Sequence, residues 1–440
     1  MSAGGPTVTR TLPFTTLEAG VFHLERAMVP WNIQFELASH EPLDPDRLER
    51  ALARAAAHHP MAGVRRVRDA GTPTGNVWAV AEAPSVPLGH TTADSLDAFR
   101  PAFYGERIDL ETAPPFRAAL ARGAGVGDGD RVLFCTSHVP MDGVGTLQLA
   151  RSVCRAYRGD PLDDPAVSVA EARRAFDAYG GSLRGTLERA VETATRLGTA
   201  LRAPPARLAP DGDTRDARWG FHHRRLAPGL VDRLLGRRPA GVSVNDALLA
   251  AFHGAVATWN AAHDRPTDRV SLMVPVNARP RESFYEGVGM YAPFVSVETD
   301  RTTRATPRAT LHAVRRQTRR VRTHDSAAWV TDVLAVLGPA LAPFVHRGVP
   351  WLLERSDHRL VDTAVLSNLG RVPSLPGFDA PSPAGVWFSP PTVMPMGVGI
   401  GVATDGGDVR LAVRYAFEQF DGDAARRFTD TYVEALGEVV

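Results

Sequence analysis

At 440 residues, with 44% apolar and 22% charged side chains, the chain can bury a large core and is long enough for about two domains. Its 50 Lys and Arg against 49 Asp and Glu leave a formal charge of +1, which argues against a nucleic-acid binder driven by bulk electrostatics. Lysine is absent altogether, which excludes a Schiff-base or pyridoxal-phosphate lysine and a Walker-type phosphate lysine.

In chain order, residues 31–37 alternate like a strand, 44–58 form an amphipathic helix, and 64–68 and 77–80 return to strand. Residues 123–130 (GAGVGDGD) read as a turn. Residues 131–136 (RVLFCT) then read as a buried strand, and 144–157 repeat apolar residues at helical spacing. A helix-rich stretch, 169–201, closes the first half. Residues 202–216 (RAPPARLAPDGDTRD) are the linker. The second half opens with a strand at 219–226, and Ser243 is an N-cap with Asp246 three residues on, ahead of a helix to about Asn260. Capping therefore accounts for Asp246. Residues 274–277 form a strand, and the helical stretch 312–322 puts Arg315, Arg319 and Arg322 on one face. Residues 329–353 are apolar but broken by Pro339, Pro343 and Pro350, as buried helices or the wall of a substrate tunnel. Residues 397–401 (GVGIG) imitate part of a dinucleotide loop, but a strand follows at 408–415 where a helix would be needed.

These elements divide into two units, 1–201 and 217–440, joined by 202–216. Alternation of strands and helices in both predicts two α/β lobes facing each other across a cleft. Cys135 and Cys154 fall on core-like positions, so packing is expected of them. The pairs His58-His59 and His222-His223 lack further ligands at metal spacing, and no metal site is expected. No signal-like N-terminal segment and no apolar run of about 18 residues is present, so the expected compartment is the cytoplasm.

The chemistry concentrates at His138, Asp142 and Gly143, an H-x-x-x-D-G pattern on the loop between the 131–136 strand and the next helix. Pro140 biases Val139 away from helix and holds that loop open. Moving an acyl group from a thioester to a hydroxyl or amine needs a base near neutrality, and histidine has the suitable pKa. His138 is the candidate. Asp142 has two open roles: accepting from the imidazole, or pairing with a distant arginine and locking the loop. Gly143 permits close backbone approach, and its N–H faces a developing oxyanion in this reading. The bland alternative is a buried histidine beside a helix-capping carboxylate.

The same three residues resemble the active-site motif of the condensation-domain and CoA-dependent acyltransferase superfamily. Other segments resemble that family in its order: 43–48 with His59-Pro60-Met61, 108–110 with 114–117, Val244 to Ala250 with 274–279, and Ser367-Asn368-Leu369-Gly370. The last is similar to a late element of stand-alone polyketide-associated and wax-ester-synthase-like acyltransferases. The resemblance implies two chloramphenicol-acetyltransferase-like lobes as a pseudo-dimer, with a tunnel between them and His138 near its middle. It also implies Asp142 paired with Arg279 from the other lobe, and Ser137, Ser367 and Asn368 as oxyanion or tunnel-lining candidates. Two departures stand out. Ser137 occupies the position where many relatives carry a first histidine, and the D-F-G-W-G element of plant relatives is missing, with Phe388-Ser389-Pro390-Pro391 in the comparable region.

The expected activity is acyl transfer from a CoA or carrier-protein thioester, without a cofactor, to a hydroxyl ahead of an amine. A family member that only binds a carrier protein or acyl chain is the second reading. A serine hydrolase using Ser137 or Ser367 is the third, and no G-x-S-x-G elbow supports it. Arg315, Arg319 and Arg322 are candidate contacts for an acidic carrier surface or CoA phosphates, against the plainer account of a solvated face.

Overall fold

The computed structural model describes residues 8–177 except 113 and 166, residue 198, residues 202–324 except 214, 216, 217, 266 and 280–284, and residues 359–440 except 373 and 374. The expected helical run beyond 177 and the apolar stretch 329–353 lie outside the described residues.

The first half runs β1 (Val8–Pro13), α1 (Thr16–Ala27), β2 (Asn32–Ala38), α2 (Pro45–His58), β3 (Val64–Arg68), β4 (Asn76–Ala81), β5 (Leu88–Thr92), α3 (Leu96–Gly105), β6 (Phe116–Arg122), β7 (Arg131–Ser137), α4 (Gly143–Arg158) and α5 (Val169–Asp177). The second runs β8 (Trp219–Arg225), α6 (Pro228–Asp232), α7 (Val244–Ala262), β9 (Arg269–Pro275), β10 (Phe294–Asp300), α8 (Pro307–His324), β11 (Ala364–Arg371), β12 (Gly385–Ser389), β13 (Val398–Asp405), β14 (Asp408–Ala416) and α9 (Gly422–Val439). Local chemistry starts the helices. Asp44 accepts from the Arg47 N–H ahead of Pro45, and Ser243 and Asp246 form the reciprocal capping box expected at α7.

Among the described residues the strands form three sheets. A small one has the order β1-β4-β3, a five-stranded one β12-β2-β7-β6-β5, and a six-stranded one β10-β9-β11-β13-β14-β8. The five-stranded sheet belongs to the first half except for β12, which comes from residues 385–389 and pairs antiparallel with β2, Phe388 opposite Phe35. A strand of the second half is thus built into the first-half sheet.

Alternation along the strands sorts side chains to the two faces of each sheet. In the five-stranded sheet, Ile33, Phe35, Leu37, Val132 and Phe134 pack in one core with Leu52 of α2 and Leu147 of α4. In the six-stranded sheet, Val270, Leu272, Leu366, Ile400 and Leu411 form a second core with Phe252 of α7, Val314 of α8 and Phe428 of α9. The intervening residues Met273, Val365 and Ala403 instead join the first core. The polar alternates of β2, Asn32, Gln34 and Glu36, are fully buried rather than solvated. They meet the second half: the Gln34 amide lies 3.0 Å from His223 Nε2, and Arg414 Nη1 donates to the Asn32 carbonyl at 2.7 Å.

Part of the segment joining the two halves packs against the second. Leu208 and Ala209 are buried in the second core, and Ala209 N–H donates to Asn260 Oδ1 at 2.8 Å.

Candidate active site

The loop carrying His138 begins where β7 ends and finishes where α4 starts. Its backbone is pinned at both ends. His138 N–H donates to the Trp31 carbonyl at 2.8 Å, and Asp142 N–H to the Gly289 carbonyl at 3.0 Å. Asp142 is also the N-cap of α4, accepting from Gly145 N–H at 2.8 Å.

The imidazole is oriented by backbone. His138 Nδ1 sits 2.9 Å from the Met141 carbonyl. A carbonyl only accepts, so Nδ1 carries the hydrogen and Nε2 keeps its lone pair in the neutral ring. Burial pulls the His138 pKa below its ordinary value, against the Met141 carbonyl and the Asp142 charge, which favour the cation. A neutral imidazole with a free Nε2 is the form a general base requires.

Asp142 does not serve the ring. Its carboxylate takes both arms of the Arg279 guanidinium, Nη1 to Oδ2 at 2.8 Å and Nη2 to Oδ1 at 3.0 Å, and Oδ2 also accepts from Tyr291 N–H at 2.8 Å. Of the two roles left open by the spacing, the structure has the second. Arg279 is held in turn by the Glu286, Gly287 and Gly289 carbonyls, and its guanidinium lies 4.6 Å from the Tyr291 ring centroid. The pair is almost wholly buried and ties the loop to the second half.

Gly143 permits the close approach expected of a glycine there. A Cβ there would lie 2.9 Å from the Phe388 ring and 3.2 Å from Leu369 Cδ2, so the glycine admits β12 and the end of β11 against the loop. At Gly145 a Cβ would meet the Gly289 backbone at 3.0 Å. Ser367 and Asn368 reach this neighbourhood on β11, but Asn368 Oδ1 accepts from Gly370 N–H at 2.9 Å and caps its own turn. Ser137 is fully buried, its hydroxyl facing Glu25 and accepting weakly from Val139 N–H at 3.3 Å.

The arginine face is placed elsewhere. α8 packs in the second core, on the side of the six-stranded sheet opposite the face that meets the first half. Arg319 is exposed there, Arg315 is half-buried against Gly241, and the side chain of Arg322 is outside the described residues. Among the described residues no group of three His, Cys, Asp or Glu is placed to hold a metal, and both cysteines are buried free thiols. No described helix is long and apolar enough to cross a membrane.

Sequence reasoning missed two features. Glu36, fully buried on β2, is held by Arg100 at 2.9 Å and by Arg131 at 3.2 Å; burial opposes its charge, but these arginines, with His223, keep its carboxyl far below the usual range. Trp31, read only as the start of a strand, pairs its ring with that of His138, centroids 6.3 Å apart. Only the polar letters alternating in β2 hinted at a partner for Glu36; nothing local marked Trp31.

No family model matches the chain. The uncharacterized protein Rv2305 of Mycobacterium tuberculosis strain H37Rv is 30% identical over 444 residues, covering 98% of this chain and 100% of its own. Among solved structures, the epimerization domain from the third module of tyrocidine synthetase B has a TM-score of 0.66 at 18% identity, over 100% of this chain and 98% of that one. The first condensation domain of the calcium-dependent antibiotic synthetase, in complex with a substrate analogue, has a TM-score of 0.70 at 15% identity, over 98% and 97%. At these identities the likeness establishes the fold.

Proposed function

The chain belongs to one family with the mycobacterial protein Rv2305 and has the fold of condensation and epimerization domains, and from that premise we propose that it is a thioester-dependent acyltransferase with His138 as its general base. The observation that carries this reading is the fixed imidazole: Nδ1 is engaged by the Met141 carbonyl and Nε2 is left to take a proton.

In the proposed reaction an acyl thioester, on CoA or on a carrier protein, is the donor. A hydroxyl is the acceptor ahead of an amine, an order that rests on the resemblance of residues 367–370 to ester-forming relatives. The two substrates enter the passage between the halves from opposite ends. The acceptor O–H gives its proton to His138 Nε2 as its oxygen attacks the thioester carbonyl. Collapse of the adduct breaks the C–S bond, and the proton on Nε2 passes to the departing thiolate. No metal or prosthetic group enters these steps, because the thioester already activates the acyl group. Asp142 and Arg279 act on the loop rather than on the substrate, and Ser367 lines the passage near Gly143. Arg315 and Arg319 on α8 are proposed as donor contacts.

A mass-spectrometric screen of acyl-CoA and acyl-carrier donors against alcohols and amines tests the reading. Formation of an ester or amide that depends on His138 supports it. Donor binding without any product would point to the binding-only member of the family.

A further inference from the structure

The proposed reaction builds negative charge on the thioester carbonyl oxygen, and a donor must meet it there. Of the side chains considered from the sequence, Ser137 is turned towards Glu25 and Val139, and Asn368 uses its carbonyl on Gly370. Trp31 is different. Its carbonyl holds the His138 N–H at 2.8 Å, and its indole is the aromatic neighbour of the imidazole, tilted by 38°. The side chain is 9% exposed, and its Nε1–H is buried without a hydrogen-bond partner among the described residues. An indole N–H left unsatisfied in this way is a donor free to meet an acceptor that arrives during function.

We infer that the Trp31 indole N–H donates a hydrogen bond to the carbonyl oxygen of the bound thioester and stabilises the oxyanion formed when the acceptor attacks. This rests on the acyltransferase reading above. An indole nitrogen donates and never accepts, which suits an oxygen gaining negative charge. Directed at the acceptor hydroxyl instead, the same N–H would draw electron density from the oxygen that must attack. The balance of the reaction is unchanged: the C–O bond forms, the C–S bond breaks, and the proton travels through His138 while Trp31 keeps its own.

The test is steady-state kinetics of Trp31→Phe, which keeps an aromatic ring and removes the N–H, beside wild type, His138→Ala and Trp31→His, which restores an N–H. An oxyanion contact strengthens only in the transition state, so Trp31→Phe should lower kcat by about 100-fold with the donor KM little changed. Trp31→His should recover part of that loss. A Trp31→Phe enzyme within about twofold of wild-type kcat, or altered only in KM, overturns the inference while His138 dependence leaves the acyltransferase reading standing. A wild-type protein that turns over no thioester removes both. Should Trp31→Phe unfold, replacing Trp31 by its isostere 3-benzothienylalanine, in which sulfur stands where the indole N–H was, decides: lowered kcat at wild-type KM supports the contact, and wild-type kcat refutes it.

Discussion

Arg279 and Asp142 meet in a two-armed pair, 137 positions apart in sequence, with contacts of 2.8 and 3.0 Å. The carboxylate of the H-x-x-x-D-G motif therefore faces the second half of the chain and leaves the His138 ring to the Met141 carbonyl. The first prediction follows from burial. With side chains only 3% and 1% exposed, removing the guanidinium strands a buried carboxylate. Arg279→Ala should lose about 3–5 kcal/mol in urea unfolding. A loss below about 0.5 kcal/mol would show that the pair does not lock the loop.

The second prediction concerns pH and rate. Burial holds the His138 pKa below its ordinary 6.5, so the ring is already neutral at neutral pH. The kcat/KM profile should rise with pH through an apparent pKa below 6.5 and stay level to at least about pH 8. A rising limb centred above 7 would mean that a different group is the base.

The third prediction concerns pH and stability at Glu25, which faces Ser137 beside the loop. Burial raises its carboxyl from 4.5 to about 7, against Arg107 and Ser137, which lower it. The folded state therefore binds the proton more tightly than the unfolded chain. The resulting stabilisation is full below about pH 4.5 and is lost as pH rises through about 7. Glu25→Gln, which cannot ionise, should flatten that decline, so its melting temperature relative to wild type should improve from pH 5 to pH 8. Parallel pH curves for the two proteins would contradict the assignment.

The fourth prediction tests the donor contacts. Replacing Arg315 and Arg319 by Gln should raise the donor KM at low salt, leave the acceptor KM unchanged, and matter less as salt screens the wild type. Equal donor kinetics at low salt would make this a plain solvated face, in keeping with its place on the side of the sheet away from His138.

What the sequence disclosed follows from how local each feature is. The strand 131–136, the loop and the following helix are contiguous, so periodicity and Pro140 locate His138 between β7 and α4 without any long-range information. The Ser243 cap is equally local, and the structure has it. Pairing across the chain leaves no such trace. β12 is only five residues long, and nothing in them says that the strand joins the sheet of the other half. The burial of Asn32, Gln34 and Glu36 has the same cause: alternation assigns them to the other face of β2 but not to what covers it. The partner of Asp142 was legible only through family resemblance, since spacing alone left the imidazole and an arginine as equal choices. Trp31 gave no signal because its role depends on the β2–β7 register, which sets Asn32 opposite Ser137 and so brings Trp31 beside His138.

The central claim is that His138 takes the acceptor's proton during acyl transfer. Its most direct test is the turnover of His138→Ala with a donor and acceptor that the wild type converts, measured on protein whose melting temperature matches wild type. The account predicts a fall of about 100-fold or more in kcat. Turnover within a few-fold of wild type in the folded variant would contradict it.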